Sequence, residues 1–353
     1  MEDLLKKLLL LTAEQGASDL HIMPARFPTI RKDGLLIPLT EFPLLTKDAC
    51  EKLLFSVLSE EQKNVLLNKK EIDFSFSVED KARFRANIYL QYHGWSGAFR
   101  YIPQEIKSVE ELNLPLILKE LIKKRQGFIL ITGPAGVGKS TTMAALVDEI
   151  NHQRPAHIIT IEEPIEYLFM PDKAIFSQRE IPRDARDWHS ALRAALREDP
   201  DVIMIGELRD AESISIALTA AETGHLVLGT LHTNSASQTI DRILDVLPEY
   251  QKNQAKFQLA ATLVGIVSQR LVPTIQGGRL PACEILIANN AVRNLIRENK
   301  VYQIDLVVET SLEEGMISLD RSLANLVQQN LITIDTALEY SLNPTRLKYL
   351  LES

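Results

Sequence analysis

The sequence predicts an α/β protein preceded by a smaller α+β domain, and three observations support this. In residues 72–102, apolar residues alternate with polar ones, as in the half-buried strands of an antiparallel sheet. From residue 128 onwards, short apolar runs alternate with helix-like segments, which is typical of a parallel sheet with crossover helices. A glycine-rich stretch at residues 133–142 joins the first of those runs to a helix-like segment.

Composition limits the class of protein. The 353 residues leave room for two domains. The net charge of −8 gives the chain no overall positive field that would attract nucleic acid or an anionic membrane surface. Cys50 and Cys283 lie far apart, in no metal or redox spacing, and are expected to be reduced core thiols of a cytosolic protein. No segment approaches the roughly 18 apolar residues of a membrane span.

The first domain is predicted to begin with a helix and to continue with strands and two further helices. Strands are expected at residues 18–22, 29–39, 72–78, 84–90 and 98–102. The segment 29–39 should fold back at Lys32-Asp33-Gly34, because Asp-Gly favours a hairpin turn. One helix is expected from Thr46 to about Leu58, and the next follows a capping box at residues 59–62.

Polar side chains on this antiparallel sheet include Arg83, Arg85 and Arg100. From the alternation alone, all three are expected to be solvated arginines on the face opposite the apolar one. Pro103 and Pro115 bracket a polar stretch that is the best candidate for a linker. The predicted organisation is therefore a first domain at 1–103, a linker at 104–115 and a second domain at 116–353.

The glycine-rich stretch fits the phosphate-binding template, with Gly133, four free positions, then Gly138, Lys139 and Ser140. Glycines let the backbone curl so that several N–H groups face one anion. Lys139 is expected to reach the outer phosphates and Ser140 to ligate Mg²⁺, at the positive end of the following helix. The sequence therefore predicts a site for a nucleoside triphosphate, formed by Gly133, Pro134, Ala135, Gly136, Val137, Gly138, Lys139, Ser140 and Thr141.

Polar residues stand at the ends of the later apolar runs. Glu162 follows the run 158–161, and Glu207 follows the run 201–205. In open α/β sheets, chemistry collects at the carboxyl ends of strands. Glu207 is the main candidate for handling the metal or the attacking water, and Glu162 is the second; the sequence does not divide these roles. His225 and His232 flank a third run, and either could donate to a γ-phosphate, although a lone histidine at a strand end is more commonly structural.

Four blocks of sequence carry a family resemblance. They are Gly133–Thr142, Ile158–Glu166, Leu196–Asp210 and Ala221–Ser235. These resemble the Walker A, Asp box, Walker B and His box of the secretion ATPase superfamily, which serves type II secretion and type IV pili. Ala17–Ile22 is also similar. Within that superfamily, the short chain, the lack of a four-cysteine insert and the stretch Ala291–Glu298 resemble the PilT-like retraction ATPases.

This resemblance implies a homo-hexameric ring of RecA-like P-loop ATPase domains with a helical C-terminal part, each preceded by a PAS-like domain. It implies Mg-ATP hydrolysis between subunits, with Arg85 and Arg100 reaching the nucleotide and Arg83 a weaker candidate. Glu163 stands where the family usually has Asp, which leaves Glu162 as the water-polarising residue. The implied setting is the cytoplasmic side of the inner membrane, without membrane insertion or nucleic acid. The implied partners are an inner-membrane platform protein and a paralogous retraction ATPase.

Three other functions remain open from the residues. One is an ATPase for pilus assembly or type II secretion. Another is a RecA-like nucleic-acid translocase, suggested by a run of arginines that alternates with acidic residues: Arg179, Arg183, Arg186, Arg193 and Arg197. The third is an assembly factor that binds ATP without hydrolysing it.

Overall fold

The computed structural model describes residues 2–32, 34–79, 81–102 and 105–352, which form two compact units. Unit 1 comprises residues 1–105 and 163–168, and unit 2 comprises 106–162 and 169–353. Asp33 of the predicted hairpin and residues 103 and 104 at the predicted domain boundary lie outside the described residues. The assignment of residues 163–168 to unit 1 was not predicted.

Unit 1 contains three helices and six strands in its described part. In chain order they are α1 (Glu2–Glu14), β1 (Asp19–Ile22), β2 (Thr29–Lys32), β3 (Leu35–Pro38), α2 (Lys47–Phe55), α3 (Glu60–Lys69), β4 (Glu71–Val78), β5 (Ala82–Gln91) and β6 (Gly94–Ile102). The strands form one antiparallel sheet in the order β3-β2-β1-β6-β5-β4. The predicted antiparallel sheet is therefore confirmed.

Local sequence signals set the helix starts in unit 1. Thr46 caps α2 by accepting from the Ala49 backbone N–H, and Ser59 and Gln62 form a reciprocal capping box at α3. Apolar side chains of α1 and α2 then pack against β5 and β6 in a core that includes Leu8, Leu54 and Phe99. Burial of these groups supplies the main stabilising free energy of the unit.

In the first part of unit 2, helices and strands alternate, except that β9 follows β8 without a helix between them. Its first elements are α4 (Ile117–Leu121), β7 (Gly127–Thr132), α5 (Lys139–Gln153), β8 (His157–Glu162), β9 (Ile175–Glu180), α6 (Trp188–Ala195), β10 (Val202–Ile205), α7 (Ala211–Glu222) and β11 (Leu226–Leu231). The next are α8 (Ala236–Val246), α9 (Glu249–Thr262), β12 (Leu263–Pro273) and β13 (Arg279–Ile287).

The seven strands of unit 2 form one mixed sheet in the order β13-β12-β7-β11-β10-β8-β9. All neighbouring pairs are parallel except β12 with β13. Every residue of β7, β10 and β11 is buried, as expected for uninterrupted apolar runs covered by helices on both faces. The parallel arrangement places the residues that follow β7, β8, β10 and β11 along one edge of the sheet.

The hairpin of β12 and β13 was not predicted from the sequence. Helix α9 ends at Thr262 and β12 begins at Leu263, so no glycine or proline marks the change of structure. The turn between the two strands carries Gly277 and Gly278, both with positive φ.

Small helices complete unit 2. They are α10 (Asn290–Arg297), α11 (Ile304–Thr310), α12 (Leu319–Gln328), α13 (Ile334–Tyr340) and α14 (Pro344–Glu352). The last three pack against Val272 and Ala282 of the hairpin in a separate core. Cys50 and Cys283 are buried free thiols, and burial raises the pKa of Cys283 to about 12. Among the described residues, every helix is too short or too polar to cross a membrane.

Candidate functional site

The loop between β7 and α5 has the conformation that the phosphate-binding template requires. Gly133, Gly136 and Gly138 all have positive φ, and Gly138 is the residue that precedes the first turn of α5. A Cβ on Gly133 would lie 2.4 Å from the carbonyl oxygen of Gln269, so only glycine fits there. The backbone curls around a space at the positive end of a 15-residue helix, an arrangement suited to an anion.

Lys139 lies inside this loop. Its Nζ donates to the carbonyl oxygens of Gly133 and Pro134, at 2.7 and 2.8 Å. The same Nζ is 3.4 Å from Nδ1 of His232. The residue is only 9% exposed, so its charge is held close to the loop rather than in bulk water.

Glu207 follows β10 and faces His232, which follows β11. His232 Nε2 lies 3.3 Å from Glu207 Oε1, and Arg209 Nε donates to Glu207 Oε2 at 2.8 Å. Because a lysine ammonium only donates, Nδ1 of His232 must accept from Lys139, which leaves Nε2–H to donate to Glu207. The loop lysine and the Glu207 carboxylate are thus joined through one imidazole.

Glu162 ends β8 and is 5% exposed. Its Oε1 accepts from the Thr160 hydroxyl at 2.7 Å. Gly206, the residue after β10, donates its N–H to the Ile161 carbonyl at 2.9 Å. This hydrogen bond joins the ends of β8 and β10. Glu162 and Glu207 therefore lie at the carboxyl ends of neighbouring parallel strands, at the edge where the loop also lies.

His225 is placed elsewhere. It precedes β11, and its carbonyl oxygen accepts from the N–H of Gly127, the first residue of β7. Its Nδ1 lies 2.9 Å from the Ala220 carbonyl at the end of α7. The six residues of β11 separate it from His232 by roughly 20 Å. Within one chain, the predicted role of His225 at the γ-phosphate does not follow from this geometry.

The three arginines of unit 1 differ from one another. Arg83 is 7% exposed and donates to the Ser75 hydroxyl at 2.6 Å and to the Ile165 carbonyl at 3.0 Å, so the expectation of a solvated side chain is wrong for it. The alternation of β5 could not show that residues 163–168 cover this position. Arg83 therefore helps to hold residues 163–168 in place through its hydrogen bond to the Ile165 carbonyl.

Arg85 and Arg100 are accessible and paired with carboxylates. Arg85 donates to Asp73 at 2.6 and 3.2 Å and lies 3.8 Å from Glu166; hydrogen bonding to Asp73 raises its pKa. Arg100 donates to Asp19 at 3.0 Å, and its side chain is 71% exposed. Their guanidinium groups remain charged and reachable, as an arginine that completes another site must be.

Oxygen donors near the loop could help to hold a magnesium nucleotide. Mg²⁺ bound with a nucleotide takes few protein ligands, because phosphate oxygens and waters fill its remaining positions. The Ser140 hydroxyl and the Glu207 carboxylate are hard oxygen donors of this kind. Within the described residues, no group of three or more His, Cys, Asp or Glu side chains could hold a metal ion. A metal ion here would therefore depend on the nucleotide for most of its ligands.

The stretch Ala291–Glu298 coincides with α10, and Arg293 in it has a clear structural task. Its guanidinium donates to the carbonyl oxygens of Ala260 at 2.5 Å, Ala261 at 2.7 Å, Leu263 at 2.8 Å and Ala288 at 3.0 Å. Arg293 therefore caps the end of α9 and joins it to α10. The amphipathic pattern of this stretch predicts Val292, Leu295 and Ile296 on the inward face; Val292 and Ile296 are buried, and Leu295 is half-buried against the same core.

Comparison with known proteins identifies relatives of the whole chain. The family model described as "Type II/IV secretion system protein" matches residues 1–303. The chain is 44% identical over 333 residues to the Pseudomonas aeruginosa "Type IV pilus retractation ATPase PilT", covering 94% of this chain and 96% of that one. It is also 44% identical over 323 residues to the "Twitching motility protein" of Neisseria gonorrhoeae, covering 91% and 86%.

Among solved structures, "Crystal Structure of the Pilus Retraction Motor PilT and Bound ADP" matches with a TM-score of 0.90 and 46% identity, over 98% of each chain. That crystal structure contains ADP, so a protein of very similar fold binds a nucleotide.

Proposed function

Because the chain belongs to the type II/IV secretion system protein family, we propose that residues 133–141 bind ATP and that Glu207 and Glu162 act in its hydrolysis. The chain is an ATPase of this family, of the kind that retracts type IV pili. The observation that best supports the assignment of the site is the connection from Lys139 through His232 to Glu207.

Each residue of this site has a distinct chemical task in the proposal. The loop N–H groups and Lys139 bind the β- and γ-phosphates, and Mg²⁺ held by Ser140 and Glu207 would neutralise phosphate charge. Glu162 orients the attacking water, because its carboxylate is buried and already directed by Thr160. His232 responds to the γ-phosphate, since phosphate binding would compete for the Lys139 ammonium that it contacts.

We further propose that the site is completed by a neighbouring copy of the chain. Phosphoryl transfer gains from positive charge placed against the transition state, and arginines supplied by a partner raise rates by about 10³- to 10⁵-fold. Arg85 and Arg100 are charged and accessible in unit 1. A homo-hexamer of RecA-like motor domains, each preceded by a PAS-like domain, would present them to the adjacent loop.

The proposed setting is the cytoplasmic face of the inner membrane, where the ring would act on a platform protein of the pilus machine. A paralogous retraction ATPase is a second proposed partner. The arginine run that suggested a nucleic-acid motor gives little support to that alternative, because Arg179, Arg183 and Arg193 each pair with a carboxylate at 2.8 Å or less. These pairs leave a mixed surface rather than a basic stripe.

Deletion of the gene in its host, followed by complementation, tests this function. Retraction predicts excess surface pili and lost twitching in the deletion strain, whereas an assembly ATPase predicts cells without pili. Complementation with Lys139→Ala should fail, because the phosphate-binding charge is gone, while Lys123→Ala, at an exposed lysine that pairs with Glu120, should restore motility. Wild-type ATP turnover by purified Lys139→Ala would refute the assigned site.

A further inference from the structure

A buried glutamine of β12 lies directly beside the phosphate-binding loop. Strand β12 runs parallel to β7, with Ser268 in register with Thr132, the last residue before the loop. The hydroxyl groups of these two residues are hydrogen-bonded at 2.7 Å. The next residue of β12 is Gln269, which is 2% exposed and belongs to no block of the sequence motifs.

The amide of Gln269 contacts the loop at two points. Its Nε2 donates to the Val137 carbonyl at 2.7 Å, and its Oε1 accepts from the Thr142 hydroxyl at 2.9 Å. The carbonyl can only accept, so the orientation of the amide is determined. Val137 and Thr142 lie on either side of Gly138, Lys139 and Ser140, so the amide spans the part of the chain that carries the phosphate ligands.

The backbone of Gln269 also shapes the loop. Its carbonyl oxygen would lie 2.4 Å from a Cβ on Gly133, and its Nε2 would lie 3.3 Å from a Cβ on Gly138. Gln269 therefore lies close to both the first glycine of the loop, Gly133, and the last, Gly138. A loop held in this way loses less conformational entropy when it binds phosphate.

We propose that Gln269 is a positioning residue for ATP hydrolysis, which holds the phosphate-binding loop in its working shape by bridging Val137 and Thr142. It acts through the loop and does not touch the nucleotide. The inference rests on the proposed role of residues 133–141 in binding ATP. Loss of the bridge would leave a buried carbonyl and hydroxyl without their partner, and the loop would shift to find others.

The variant Gln269→Glu distinguishes a positioning role from a purely structural role, because its effect on catalysis should depend on pH. A protonated carboxyl group has the shape of the amide, so its O–H can donate to Val137 while its C=O accepts from Thr142. An ionised carboxylate has no donor and faces the Val137 carbonyl with a negative charge. Burial raises the pKa of an introduced carboxyl, so the change between the two forms should fall in an accessible pH range.

We expect kcat/KM of Gln269→Glu to be roughly 10- to 100-fold below wild type at about pH 8, with the gap closing as the pH is lowered towards about 5.5. The matched control is Gln329→Glu, which adds the same carboxyl at an exposed helix end and should follow the wild-type profile. A Gln269→Glu profile parallel to that of the wild type, at any absolute activity, would overturn the proposal.

A second pair of variants covers the case in which Gln269→Glu does not fold. Thr142→Val removes the hydroxyl at nearly constant shape, and Thr142→Ser retains it. If the bridge matters, Thr142→Val should raise KM for ATP, Thr142→Ser should restore it, and Thr142→Val with Gln269→Leu should be no worse than the worse single variant. Additive effects of the two changes would contradict the bridge.

Lys139→Ala separates this inference from the assigned site. If Lys139→Ala is inactive while Gln269→Glu and Thr142→Val behave as wild type, the proposed role of Gln269 is wrong, but the assignment of residues 133–141 as the ATP site is retained. If Lys139→Ala is fully active, the site itself is wrong, and the bridge fails with it.

Discussion

Glu207 and His232 are joined side chain to side chain, with His232 Nε2 at 3.3 Å from Glu207 Oε1, although they follow different strands. Strands β10 and β11 are parallel neighbours, so residues beyond their carboxyl ends meet at one edge of the sheet. His232 also contacts Lys139 of the loop. One imidazole therefore connects the lysine of the loop with the acidic residue that follows β10.

The first prediction compares the two histidines that flank β11. His232→Ala should lower kcat for ATP hydrolysis by roughly 10²-fold, because Glu207 and Lys139 lose their common partner. His225→Ala is the matched control, since its ring contacts the end of α7, and its turnover should stay within about threefold of wild type. Steady-state ATPase assays of both variants test this. Equal losses of kcat in His232→Ala and His225→Ala would contradict the prediction that only the histidine beside the loop acts in hydrolysis.

The second prediction concerns the arginines of unit 1. Arg100→Ala and Arg85→Ala should bind ATP normally and lose most hydrolysis, whereas Arg26→Ala, an exposed arginine of the same unit, should keep it. Mixing inactive Arg100→Ala chains with inactive Lys139→Ala chains should restore part of the activity. In a mixed ring, some loops with Lys139 would face a neighbour that retains Arg100. Absence of any recovery on mixing, with subunit exchange verified, would argue against a shared site.

The third prediction concerns the stretch that resembles the retraction ATPases. Arg293→Ala should lower the free energy of unfolding by roughly 2–4 kcal/mol, because four backbone carbonyls lose a charged donor. Arg297→Ala removes the same charge from the exposed face of α10 and should change stability by less than about 0.5 kcal/mol. Urea unfolding of both proteins measures the difference. Equal stability of the two variants would show that the capping contacts contribute little.

The fourth prediction is a pH dependence of stability at Glu284. This residue of β13 accepts from the Ala236 N–H at the start of α8, and burial raises its pKa from 4.5 to about 7. Asp305 and Asp320 act in the same direction, and Arg270 acts against it. Below about pH 4.5 the carboxyl is neutral in both folded and unfolded chains. Its contribution to stability is present there and is lost as the pH rises towards 7.

Glu284→Gln removes this titration while keeping an oxygen that can accept from Ala236. Relative to wild type, the variant should gain stability between about pH 4.5 and 8, by at most about 3 kcal/mol. Glu313→Gln, at an exposed carboxylate, should show no such trend. Urea unfolding across this range provides the measurement. A constant difference between Glu284→Gln and wild type would exclude the shifted carboxyl.

Much of the sheet edge that carries the candidate site could be predicted because its signals are local. The glycine spacing identified the loop, and uninterrupted apolar runs identified β7, β10 and β11, with Glu207 at the end of one of them. Parallel pairing then places their ends together. The proximity of Lys139 and Glu207 follows from these rules.

Other features depend on packing between segments distant in sequence. His225 and His232 were both candidates because they flank the same run, although the parallel pairing of β11 with β7 brings only the end that carries His232 to the loop. Gln269 was missed because β12 follows α9 without a break. Arg83 looked solvated because its cover comes from residues 163–168, about 80 positions later.

The short excursion at residues 163–168 has a consequence for dissecting the chain. Glu162 ends a strand of unit 2, yet the very next residue is assigned to unit 1, so the polypeptide passes between the units three times, after residues 105, 162 and 168. A truncated motor fragment starting at residue 106 would keep the loop 163–168 but lack Arg83, the donor to its Ile165 carbonyl. A fragment made by a single cut therefore cannot reproduce the native surroundings of the residue after Glu162. Measurements on an isolated ATPase domain would not represent the intact protein.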